Sequence, residues 1–151
     1  SGPPVGLSGG APTPSSEATV WAFDSLDARP ITSETMRGKP VVLVFVVTDN
    51  LACQAQVNFV VAMAKHDAES VHYVLVDAEP RAQREMFELY AKSLGVTFPA
   101  AMADEATMRG GGPFPLQAVP TVIVLDRAGR AVWRTTGLAK PEEIRAHLNG
   151  R

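Results

Sequence analysis

The chain has 151 residues, enough for one domain with a sizeable core, and its 46% apolar and 20% charged content is ordinary globular usage. Its 14 basic and 16 acidic residues leave a formal net charge of -2, with no Lys or Arg run to suit nucleic acid or an anionic membrane. No apolar run is long enough to span a bilayer. The single cysteine, Cys53, excludes an internal disulfide and the usual Cys-rich zinc sites.

Residues 1–18 are rich in Gly, Pro and Ser with almost no large apolar side chain, which predicts a flexible linker ahead of a folded unit over residues 19–151. Ser1-Gly2 lacks an initiating Met and any signal pattern. It reads as a truncation or a fusion scar, which leaves room for an upstream signal or anchor. Residues 19–23 (Thr-Val-Trp-Ala-Phe) predict a strand, and residues 33–37 a short helical turn before Gly38. Residues 41–47 form a continuous apolar run rich in β-branched Val, the mark of a central strand buried on both faces.

Thr48, Asp49 and Asn50 follow, all good helix N-caps. A helix is expected from there to about His66, with Cys53, Val57, Val60, Val61 and Ala64 as its apolar stripe. Residues 71–76 predict another strand. Pro80 suits the first turn of a helix carrying Met86, Phe87, Tyr90, Ala91 and Leu94, which Gly95 stops. The last third predicts a hairpin of residues 121–125 and 131–134 around the turn Asp126-Arg127-Ala128-Gly129. Pro141-Glu142-Glu143 then opens a C-terminal helix, with negative charge at its positive dipole end. This order calls for an α/β fold with a mixed sheet between helices.

Several segments resemble one family when taken together. Met36-Arg37-Gly38-Lys39-Pro40-Val41-Val42-Leu43-Val44-Phe45 resembles the RGKPVVLNF approach to the active site of TlpA-like, redoxin-related thioredoxins. Leu94-Gly95-Val96-Thr97-Phe98-Pro99 is similar to their LGVTFP segment. Ala118-Val119-Pro120-Thr121 and Asp126-Arg127-Ala128-Gly129-Arg130 resemble their VPTxxxIDxxGR stretch. The resemblance spans roughly residues 20 to 149 in unbroken order. It implies a thioredoxin fold: a central mixed β-sheet flanked by helices on both faces, with an N-terminal β extension.

The resemblance also implies thiol–disulfide chemistry at a CxxC, without a cofactor or metal. The family motif FWATWCPPC falls on residues 45–53, so the resolving cysteine is kept as Cys53 and the nucleophile position is Asn50. Without a thiolate at position 50, attack on a substrate disulfide cannot begin there, while Asn remains a good N-cap. Cys53 has two readings. It is either a reactive monothiol, open to mixed disulfides or sulfenic acid, or a small buried hydrophobe on the helix stripe.

The resemblance further implies that Val119-Pro120 is cis and, with Asn50 and Leu51, borders a groove for an extended polypeptide or a thiol-containing protein partner. Glu79 is either a proton relay beside the cysteine or a solvated carboxylate at a helix start. His66, His72 and His147 show no ligand spacing, Trp21 and Trp133 read as core or sheet-face aromatics, and Gly110-Gly111-Gly112 lacks the residues of a phosphate loop. The peroxiredoxin approach Pro-x-x-x-Thr/Ser-x-x-Cys is absent, since Val46 and Asn50 stand at its key positions. A two-cysteine copper site cannot be assembled. The expected role is a polypeptide-binding or accessory redox module outside the cytoplasm, the alternative being a monothiol enzyme using Cys53.

Overall fold

A computed structural model describes residues 17–148. The linker expected over residues 1–18 lies outside them apart from Glu17 and Ala18. Seven strands form one sheet in the order β2-β1-β5-β4-β3-β6-β7. They are β1 (Ala22–Ser25), β2 (Ile31–Thr32), β3 (Val41–Val46), β4 (His72–Asp77), β5 (Ala100–Met102), β6 (Thr121–Leu125) and β7 (Ala131–Thr136). The helices are α1 (Leu51–Asp67), α2 (Arg84–Ser93), α3 (Glu105–Met108) and α4 (Pro141–Ala146). β3, β4 and β5 run parallel, and β6 lies antiparallel to β3 on its other side. The N-terminal pair β1–β2 extends the sheet antiparallel to β5.

All six side chains of β3 are at most 2% exposed. Strand alternation divides them between two cores. Val42, Val44 and Val46 join Val57 and Val60 of α1, Phe87 and Ala91 of α2 and Ile144 of α4 on one face. Val41, Leu43 and Phe45 join Trp21, Phe23, Met36 and Phe114 on the other. The three longer helices thus share the first face. The second is covered by aromatic side chains, by the turn that carries Met36, and by Met108 of the four-residue α3.

Several expectations shift. The first strand begins at Ala22, the first residue in register with β2. Residues 33–38 form hydrogen-bonded turns and no helix. Pro80 precedes a 3-10 turn, Arg81–Gln83, and α2 proper begins at Arg84. Gly95 stops α2 as expected, with the positive φ of 80° that a side chain would strain. β5 and α3 were not anticipated. Ala-Ala-Met has little intrinsic strand preference, and pairing with β4 imposes its conformation. α3 is a single turn held by Asp104, whose Oδ1 accepts the Thr107 N–H at 2.9 Å.

Gln56 is the polar exception on the buried side of α1. It is 0% exposed. Its Nε2 donates to the Ala139 carbonyl at 3.0 Å, and its Oε1 accepts the Ala139 N–H at 2.7 Å, fastening α1 to the segment before α4. Gln56→Ala strands both main-chain groups in the core, at about 1–3 kcal/mol each. We expect a loss of at least about 2 kcal/mol in urea unfolding, and a loss below about 0.5 kcal/mol would mean that water replaces the clamp.

Candidate active site

The sheet register brings three loops to one edge. Val46 of β3 lies opposite Asp77 of β4, and Phe45 lies opposite Thr121 of β6. Residues 47–50, 77–79 and 119–120 therefore leave the sheet side by side. Asn50 takes the extended conformation of an N-cap, with φ -132° and ψ 125°. Its Oδ1 accepts the Cys53 N–H at 2.9 Å, one of the helix-start donors that would otherwise lack a partner. Leu51 points outward and is 84% exposed. Cys53, two residues on, is 0% exposed and packs in the same core cluster as Val57 and Val60. Burial pushes its thiol pKa above the ordinary value, and the carboxylates of Asp49, Asp77 and Glu79 act in the same direction.

On one side of this loop, the Val119–Pro120 peptide is cis. Val119 is half-buried and packs against both cores. The Pro120 carbonyl accepts the Gly137 N–H at 2.8 Å, which brings the end of β7 and the 45% exposed Leu138 to the same edge.

On the other side lie the acidic groups. Glu79 is half-buried and bonded to the loop. Its Oε1 accepts the Thr48 N–H at 3.2 Å and the Thr48 hydroxyl at 3.0 Å. Asp77 is 0% exposed, and neither carboxylate oxygen has a hydrogen-bond partner. Desolvation raises its pKa from 3.8 to about 8, with the neighbouring Glu79 carboxylate adding to the shift. The buried hydroxyl of Tyr90, on α2, also lacks a partner. Burial raises its pKa to about 12, with Cys53, Asp77 and Glu79 contributing.

The structure thus gathers Asn50, Leu51, Cys53, Glu79, Val119 and Pro120 at one end of the sheet. It adds Asp77 and Tyr90, to which sequence reasoning gave no role. Asp77 was traceable in principle, because it shares the β4 face of Tyr73 and Leu75, both buried under the helices. Tyr90 reads as one more apolar residue of the α2 stripe, and no local signal places it near Cys53.

No protein-family profile and no curated protein sequence matches the chain. Solved structures do. A thioredoxin-family thiol:disulfide interchange protein from Chlorobium tepidum superposes with a TM-score of 0.75 at 21% identity, covering 93% of this chain and 97% of that one. The chain has the thioredoxin fold. A DsbF homologue from Corynebacterium diphtheriae gives 0.75 at 17% identity, covering 96% and 97%. A thio-disulfide isomerase from Thermus thermophilus gives 0.70 at 24% identity, covering 90% and 94%. These neighbours are thiol–disulfide oxidoreductases, and what this chain shares with them is the thioredoxin fold.

The Asp77 carboxyl ties stability to pH. In the folded chain it stays protonated up to about pH 8, whereas unfolded it ionises near 3.8. The folded state therefore holds the extra proton between those values, and stability falls as pH rises from about 4 to about 8. We expect Asp77→Asn to remove much of that fall, on the order of a few kcal/mol, in urea midpoints measured from pH 4 to 8. Parallel pH profiles for the two proteins would show that Asp77 does not titrate in this window.

Proposed function

We propose that this chain is a TlpA-like thioredoxin-fold protein that binds an extended polypeptide without carrying out dithiol–disulfide exchange. The observation that carries the reading is the pair at the start of α1. Position 50 holds an Asn whose side chain is engaged as the helix cap, and Cys53 is 0% exposed. Exchange begins with attack by an accessible thiolate on a disulfide sulfur. Asn50 has no thiol to ionise, and Cys53 is kept protonated and out of reach. The TlpA-like sequence resemblance supports a location outside the cytoplasm, where the Gly-, Pro- and Ser-rich composition of residues 1–18 would suit a tether.

The groove side of the site keeps the features that suit an extended chain. Val119 precedes the cis proline, Leu51 and Leu138 expose apolar surface, and the loops meet at one sheet edge. Main-chain bonding with shallow apolar pockets is a general way to hold such a segment. Nothing in the geometry favours a monothiol enzyme, since Cys53 shares its surroundings with three carboxyl groups that oppose its ionisation.

Iodoacetamide labelling followed by intact mass tests the reading directly. Cys53 should label at least about 100-fold more slowly in the folded protein than in denaturant, without the midpoint well below 8.5 of an activated thiol. Rapid native labelling with a midpoint near neutrality would overturn it. A second prediction concerns the missing thiol. Wild type should leave insulin turbidity at the dithiothreitol-only rate, and Asn50→Cys should raise it measurably. Wild-type acceleration of insulin reduction would contradict the proposal, and an inert Asn50→Cys would show that more than one side chain separates this site from an exchange enzyme.

A further inference from the structure

The loop that follows β3 has two flanks, and the polypeptide groove uses only the one toward β6. The other opens into a cleft of about 560 Å³ between Thr48-Asp49, Glu79 and the exposed side of α2. That volume is within the range of sites that take a ligand or a long side chain. Met86 and Leu89 of α2 line it and are 56% and 64% exposed, an unusual display of large apolar side chains on one helix. Tyr90 contributes its ring, while Gln83 and Ser93 add polar groups.

The charge of this cleft is one-sided. Asp49 and Glu79 line it, and no Lys, Arg or His does. Neither carboxylate has an ion-pair partner among the described residues. Two carboxylates lining one cleft repel each other, and a cation placed between them relieves that repulsion. The donors do not converge as a metal site would require: among the described residues no group of three His, Cys, Asp or Glu side chains is placed to hold a metal ion. An organic cation with an apolar stem matches both halves of the lining. A Lys or Arg side chain has that form, burying its methylenes and presenting a charged head.

We infer that the cleft between the 48–49 loop and α2 receives a Lys or Arg side chain of a polypeptide partner, flanked by apolar residues that cover Met86 and Leu89. This rests on the polypeptide-binding reading and specifies the partner: a basic, apolar segment whose cationic residue docks on the β4 side of the loop while its backbone continues toward Val119.

The test is an amide NMR titration of the isotope-labelled full chain with two end-capped peptides, Gly-Leu-Lys-Leu-Arg-Leu-Gly and its acidic counterpart Gly-Leu-Glu-Leu-Glu-Leu-Gly. The expected result is saturable shifts at Asp49, Glu79, Met86 and Leu89 with the basic peptide only, weakened by raising salt from 20 to 500 mM. Asp49→Asn, at an exposed position, should weaken binding about fivefold, and the double variant Asp49→Asn/Glu79→Gln about tenfold or more. Gln at 79 keeps an acceptor for Thr48, so the loop is preserved. Equal binding of both peptides, a silent cleft, or indifference to Asp49→Asn would overturn the inference. Shifts at Val119, Gly137 and Leu138 with a silent cleft would reject it while leaving the groove standing. Shifts confined to the cleft would uphold its cation-binding part and overturn both the continuation toward Val119 and the groove.

Discussion

Burial of β3 on both faces is the constraint on which the rest of the structure depends. A strand with no solvent-facing side cannot slip by one residue without moving every side chain into the opposite core. Its register with β4 and β6 is therefore set by packing, and that register brings the 47–50 loop, the 77–79 segment and the Val119–Pro120 peptide to one edge. The Gln56 clamp on Ala139 does the same for the segment leading into α4. The site is a consequence of how the sheet core closes.

The interior below that edge is less comfortable than the rest of the core. A fully buried carboxyl group without partners is costly when ionised, and here it escapes much of the cost by holding its proton. The same desolvation discourages ionisation of Cys53 and Tyr90. Three titratable groups in one pocket are thus biased toward their neutral forms. Such an environment resists forming a thiolate, which sets it apart from sites where a helix start and nearby cations favour one. Glu79 is anchored instead to Thr48, which fastens the acidic flank to the loop.

Much of the fold was legible in the chain. The β-branched run predicted a strand buried on both faces, the Thr-Asp-Asn sequence predicted a capped helix, and Asp-Arg-Ala-Gly predicted the hairpin turn. Each is a local signal: side-chain branching, capping chemistry, or a glycine with φ of 87° at Gly129. β5 and α3 were illegible because they are short and conform to their neighbours. Ala100 to Met102 is a strand because β4 offers its edge, and residues 105–108 make one turn because Asp104 caps them. At the site, Asn50, Cys53 and Pro120 were legible from motif spacing, whereas Asp77 and Tyr90 emerged only when β4 and α2 packed over α1.

By itself the sequence determined the alternation of strands and helices, the identity of the cap at position 50 and the presence of a single thiol. These follow from periodicity and residue chemistry, which act over a few neighbours. Only the tertiary structure decided that Cys53 is sealed in the core, that Asp77 lies unpartnered beneath Glu79, and that a one-signed cleft opens beside α2. Burial, desolvation and the sum of nearby charges depend on residues far apart in the chain, and no local pattern encodes them.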